Sequence, residues 1–167
     1  MSIRMGSETL EFKSEIVNDL CKEIVAFANT RGGELWIGVA DDGTAIGISE
    51  PDEALLRINN MVRDSIKPDV TMFVRYEIRM LDGKEIITVT VQKGPDRPYY
   101  LAAKGLKPGG LYVRNGTSTD PSTDTAIRRM IKETYVDRFE DMRSLEQELT
   151  FVAAEAEFQK RDVDFGP

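Results

Sequence analysis

The chain has 167 residues, room for one domain of ordinary size plus an appendage. It holds no histidine and one cysteine, which excludes Ser-His and Cys-His nucleophile pairs, histidine metal ligands and a disulfide framework. The net charge of −7 is uneven: 15 Lys/Arg stand against 17 Asp/Glu in residues 1–115, and 7 against 12 in residues 116–167. A strongly basic nucleic-acid binder is thereby excluded, and any nucleic-acid contact must come from a local basic patch.

No apolar run approaches the ~20 residues that span a bilayer. The first residues, Met1 to Glu8, lack the apolar stretch of a signal peptide. A cytoplasmic protein without membrane contact is expected. The lone thiol of Cys21 suits a reducing compartment, and its helical setting suits a small core residue.

Thr9 to Lys13 alternates as a short strand. Ser14 is placed to cap a helix whose stripe is Ile16, Leu20, Ile24, Phe27 and Ala28. That helix stops at Asn29-Thr30-Arg31-Gly32-Gly33. Glu34 to Ala40 reads as a strand, Asp41-Asp42-Gly43 as a turn, and Ala45 to Ile48 as a short returning strand. Ser49 and Pro51 open a second helix to about Ile66, with Leu55, Ile58, Val62 and Ile66 on one face. Val70–Leu81 and Lys84–Gln92 flank Asp82-Gly83 as a hairpin. Short strands follow at 97–101 and 111–114, separated by a Gly/Lys/Pro-rich loop, and a third helix is expected after Asp120-Pro121. Beyond residue 137 two readings stand. Met142, Leu145, Leu149, Val152 and Ala156 have heptad spacing, while Leu149–Val152 also reads as a strand between two short helices.

Several side chains are candidates for chemistry. Glu11 and Lys13 share a strand face, which suits an ion pair or a solvated edge. Asp41, just past the second strand, is either a turn residue or a partner for Glu11, with Glu8 nearby. Converging carboxylates form an oxygen-rich site for Mg²⁺ or Mn²⁺, which would polarise a phosphodiester without histidine. Arg31 lies in the glycine turn, where the glycines serve either the chain reversal or a close approach to phosphate. Tyr112 and Arg114 share a strand face, and Ser118 and Thr119 follow near an expected helix N-terminus. Those donors suit a phosphate oxygen, and Arg114 equally suits a structural pair with Glu11 or Asp41. Arg97, Lys104 and Lys107 add positive charge on flanking loops. Gly38 and Gly43 have P-loop glycine spacing, but Thr44 follows where lysine is required, so P-loop ATP hydrolysis is excluded.

Three motifs occur in order: Glu11-Phe12-Lys13; Ala26-Phe27-Ala28-Asn29-Thr30-Arg31-Gly32-Gly33 leading to Gly38-Val39-Ala40-Asp41-Asp42-Gly43; and Tyr112-Val113-Arg114-Asn115-Gly116-Thr117-Ser118-Thr119. Together they resemble the Schlafen AlbA-like domain over about Glu8 to Lys132. The resemblance implies an α+β fold with a mixed, mostly antiparallel sheet and about three packed helices. It places that domain at 1–135, with 136–167 an acidic extension that begins a truncated following segment. Leu149 to Phe151 then resembles the start of the continuation seen in the family, favouring the strand reading there. The family includes RecG-like bacterial regulators formerly described as divergent ATPases, so the resemblance implies a DNA- or RNA-binding or regulatory domain of a transcriptional regulator. It also includes endoribonucleases that use two glutamates and an aspartate. Glu11 and Asp41 match two of those positions, whereas the third is Gly6 here. Two alternatives to nucleic-acid binding follow: a metal-dependent endoribonuclease using Glu11, Asp41 and Glu8, and a homodimerising scaffold module or nucleotide binder without a P-loop.

Overall fold

The computed structural model describes residues 7–17 and 19–160, with side chains described up to residue 143. Eight strands and three helices follow in order: β1 (Leu10–Lys13), α1 (Leu20–Asn29), β2 (Gly33–Ile37), α2 (Pro51–Ser65), β3 (Ile66–Lys67), β4 (Val74–Leu81), β5 (Lys84–Val91), β6 (Tyr100–Leu101), β7 (Tyr112–Asn115), β8 (Ser118–Pro121) and α3 (Asp124–Lys160). The fold is α+β. A four-stranded sheet has the order β1-β2-β5-β4, and two-stranded sheets pair β3 with β6 and β7 with β8. Only the β1–β2 pair is parallel; the other pairs are antiparallel.

Alternation along the strands gives the large sheet two unlike faces. Leu35, Ile37, Ile87, Val89 and Val91 point to the side where α1 and α2 pack, joining Leu20, Ile24, Phe27, Ile58 and Val62 in the main core. The other face carries a smaller cluster of Phe12, Val39 and Ile86, flanked by Leu10, Trp36 and Leu81. A third cluster joins Leu111 to Ile127 and Met130 on the first turns of α3. Cys21 is buried in the main core, which fits a packing role.

Several local expectations are corrected. Helix α1 starts at Leu20, not after Ser14; Ile16 reaches the core from outside the helix, so its apolar period was tertiary rather than helical. Helix α2 is preceded by Glu50 in a left-handed conformation (φ 52°) rather than capped by Ser49. The returning strand at 45–48 reduces to one bridge between Val39 and Ala45. Residues 71–73 form a 3-10 turn before β4. Ser118 to Pro121 is strand β8, and the third helix begins only at Asp124. No strand interrupts residues 149–152, which continue α3 to Lys160. The side chains of the remaining heptad positions from Leu145 onward lie outside the described residues.

The chain divides into two compact units, 1–130 and 131–167. Within the second, Ile131, Tyr135, Val136, Phe139 and Met142 are exposed on the helix. Among the described residues no helix is long and apolar enough to cross a membrane.

Candidate functional site

The three motifs converge because α1 ends in a tight reversal. The Gly32 amide donates to Phe27 O at 2.7 Å and Thr30 N to the same oxygen at 3.2 Å, closing the helix with Gly32 at φ +77°. A Cβ on Gly32 would lie 2.6 Å from Val91 O, and one on Gly33 2.6 Å from the Phe27 ring. The glycines are thus required for the chain to pass between β5 and α1. Asn29 fixes the other side: its Nδ2 donates to Tyr99 O (2.9 Å) and Tyr112 O (3.0 Å), and its Oδ1 accepts from Tyr99 N (2.7 Å). It bonds carbonyls of neighbouring segments rather than those of its own helix.

Arg114 is the centre of the arrangement. Its side chain is 1% exposed, and its guanidinium lies 5.1 Å from the Phe27 ring centroid. Nη2 donates to Glu11 Oε2 (2.8 Å) and Ser7 O (2.7 Å), Nη1 to Thr119 Oγ1 (2.9 Å) and Glu23 Oε2 (3.4 Å), and Nε to Glu8 O (3.2 Å). Each guanidinium nitrogen therefore already has an acceptor inside the chain. Thr119 donates in turn to Glu23 Oε2 at 2.6 Å, and Lys13 Nζ lies 3.5 Å from Glu23 Oε1. Glu11 and Lys13 share a face as alternation requires, but each is partnered across to a different element. Burial raises the Glu11 pKa above its ordinary 4.5; the bond from Arg114 opposes that shift and the nearby Glu23 adds to it.

The remaining expected residues are dispersed. Glu8 pairs with Arg31 at 3.3 Å, both well exposed. Asp41 is exposed in the turn after β2, and among the described residues no hydrogen bond or ion pair joins it to Glu11. Among the described residues no three carboxylates or thiols gather closely enough to hold a metal. The acid that stands with Glu11 is Glu23, which sequence reasoning missed. Its signal was a charge three residues after Leu20 and four before Phe27, on the apolar face of α1. Tyr112 is buried beneath Lys22, whose Nζ is 5.5 Å from its ring centroid. Ser118 lies on β8, its hydroxyl 3.1 Å from Asp120 Oδ2; it is not at a helix N-terminus. Arg97 turns inward to Asn29 O at 3.3 Å.

Lys104 and Lys107 are different. Both are exposed, and no ion pair engages them among the described residues. Their loop is held by backbone bonds: Lys104 N and Gly105 N both donate to Leu101 O, and Gly110 N to Lys107 O. Leu101 belongs to β6, whose Tyr100 pairs with Lys67 of β3, an exposed lysine that likewise has no ion pair among the described residues. Lys67 was missed because it ends a helix-strand junction whose pairing with β6 is non-local.

This is an α+β domain built on a mixed sheet, in which Glu11, Lys13, Arg114 and Thr119 of the motifs join Glu23 in a buried charge cluster. It belongs to the Schlafen AlbA_2 family, whose sequence profile matches residues 6–123. No curated protein sequence matches the chain. Among solved structures it is similar to the DIP2311 protein of Corynebacterium diphtheriae, with TM-score 0.53 and 19% identity over 69% of this chain. The match covers only 22% of that longer protein. It is also similar to the N-terminal domain of a RecG-related protein from Nitrosomonas europaea, with TM-score 0.48 and 24% identity, covering 66% of this chain and 78% of that one. At 19% identity the likeness to the Corynebacterium protein speaks to fold alone.

Proposed function

We propose that the chain is a nucleic-acid-binding module of a longer regulatory protein. The observation that carries this reading is the group of exposed lysines Lys67, Lys104 and Lys107 on the adjoining β3, β6 and post-β6 segments, none of them neutralised by an ion pair among the described residues. Cations held by a backbone-bonded loop and free of acidic partners suit phosphate oxygens, which supply position and affinity without reading sequence. Family membership supports the same reading. Arg114 serves it indirectly. Because every guanidinium nitrogen is engaged inside the chain, Arg114 holds the ends of β1, α1 and β8 together and leaves phosphate contact to the loops.

The test is a titration of a labelled oligonucleotide at several salt concentrations. If three lysines neutralise three phosphates of a single strand, log K falls with log salt at a slope of about −2. Reversing Lys104 and Lys107 to Glu should weaken binding at least about tenfold and flatten that slope by about 1.4. A salt-independent affinity, or one indifferent to the reversal, contradicts the proposal.

A further inference from the structure

Helices α1 and α2 pack on one face of the four-stranded sheet, and the other carries the smaller cluster of Phe12, Val39 and Ile86. Register across its strands sets Leu10, Glu34, Thr90 and Arg75 in one row, and Phe12, Trp36, Thr88 and Glu77 in the next. At the corner where β4 begins and β5 ends, this face opens into a groove of about 240 Å³ lined by Met72, Phe73, Val74, Arg75, Thr90 and Gln92. The walls are tied together: Gln92 N donates to Phe73 O at 2.8 Å. Met72, at the rim, is an apolar side chain that is 89% exposed. Arg75 and, just past Gln92, Lys93 are exposed cations without an ion pair among the described residues. In the adjoining row, Trp36 Nε1 and Thr88 Oγ1 are buried with no hydrogen-bond partner among the described residues.

We propose that this groove receives an unstacked base of a single-stranded nucleic acid. The inference rests on the nucleic-acid reading above and assigns it a second, base-contacting site. The three chemistries a nucleotide needs are adjacent: an aromatic ring and a thioether for the base face, an amide and a hydroxyl for its edge, and two cations for the flanking phosphates. A single strand is favoured over a duplex for two reasons. A groove this small admits one planar group, which paired and stacked bases do not present. Glu34 and Glu77 on the same face also repel a broad polyanion, whereas stacking is indifferent to charge. The connection to the lysine group is direct, because the segment leaving β3 at Lys67 is the one that reaches Met72 and Phe73.

The experiment is anisotropy titration of the full chain with one labelled oligonucleotide, single-stranded and annealed to its complement. Phe73→Ala and Met72→Glu should each weaken single-strand binding about tenfold, as loss of one base-stacking platform does. Phe73→Trp and Met72→Leu should retain it. Duplex binding should respond to reversal of Lys104 and Lys107 but not to the groove variants. Thermal melting checks each fold; should Phe73→Ala unfold, Met72→Glu, at a solvent-facing position, decides. Single-strand binding that is lost on lysine reversal yet unchanged in the groove variants overturns this inference alone. Failure of the wild-type chain to bind any nucleic acid at low salt overturns both readings.

Discussion

A guanidinium stripped of water must find a partner for each donor, and Arg114 does so with two carboxylates, a hydroxyl and main-chain carbonyls of Ser7 and Glu8. Removing it would leave Glu11 and Glu23 facing each other with, among the described residues, Lys13 to offset them. Arg114→Ala should therefore cost about 3–5 kcal/mol, the range found when one partner of a buried pair is removed. Arg114→Lys should fall between the two, because an ammonium cannot span the fork. Denaturant midpoints with an unchanged m-value measure the loss. The exposed Arg31–Glu8 pair, by contrast, contributes little, since water screens it. The sequence showed Arg114 as a choice between phosphate and structure. What it could not show is that the chain brings Glu23 to the same spot, since the two are joined only by tertiary packing of β7 against α1.

At the scale of elements, the α1–β2 junction is the most constrained point. Gly32 combines φ +77° with a carbonyl where a Cβ would stand. Gly32→Ala should destabilise the chain by about 2 kcal/mol or more, since left-handed strain and a backbone clash add; a lowered thermal midpoint with an unaltered far-ultraviolet spectrum is the expected readout. This junction was legible, because glycines after an apolar helical stripe signal a stop. So was the β4–β5 hairpin, whose turn uses Asp82 and Gly83, both at positive φ. The errors share a physical cause. Ile16 and the residues around Ser118 have apolar and hydroxyl patterns that suit helix starts, yet pairing outside any helix decided their form: Ile16 is held by the core and Ser118 by the β7–β8 hairpin. The continuous α3 likewise prevailed over a strand at 149–152, where the heptad spacing was the better guide.

The whole molecule presents an acidic chain with its cations unequally free. Those of the family motifs are turned inward or paired, while Lys67, Lys104 and Lys107 on one set of loops, and Arg75 and Lys93 beside the groove, are exposed and have no ion pair among the described residues. Net charge alone therefore does not locate the exposed cations of the folded chain. Fold and family were readable from three ordered motifs; of the candidate interface, Lys104 and Lys107 were readable as loop cations, whereas Lys67, Arg75 and Lys93 were not, because their place beside those loops and the groove depends on the folded chain. The most direct measurement is amide chemical-shift mapping of the isotope-labelled chain with a short single-stranded oligonucleotide. Shifts concentrated at Lys67, Lys104, Lys107 and the Met72–Arg75 and Thr90–Lys93 segments, with Glu11, Glu23 and Arg114 unmoved, are predicted. Shifts centred on Glu11 and Arg114, or none at low salt, would contradict the account.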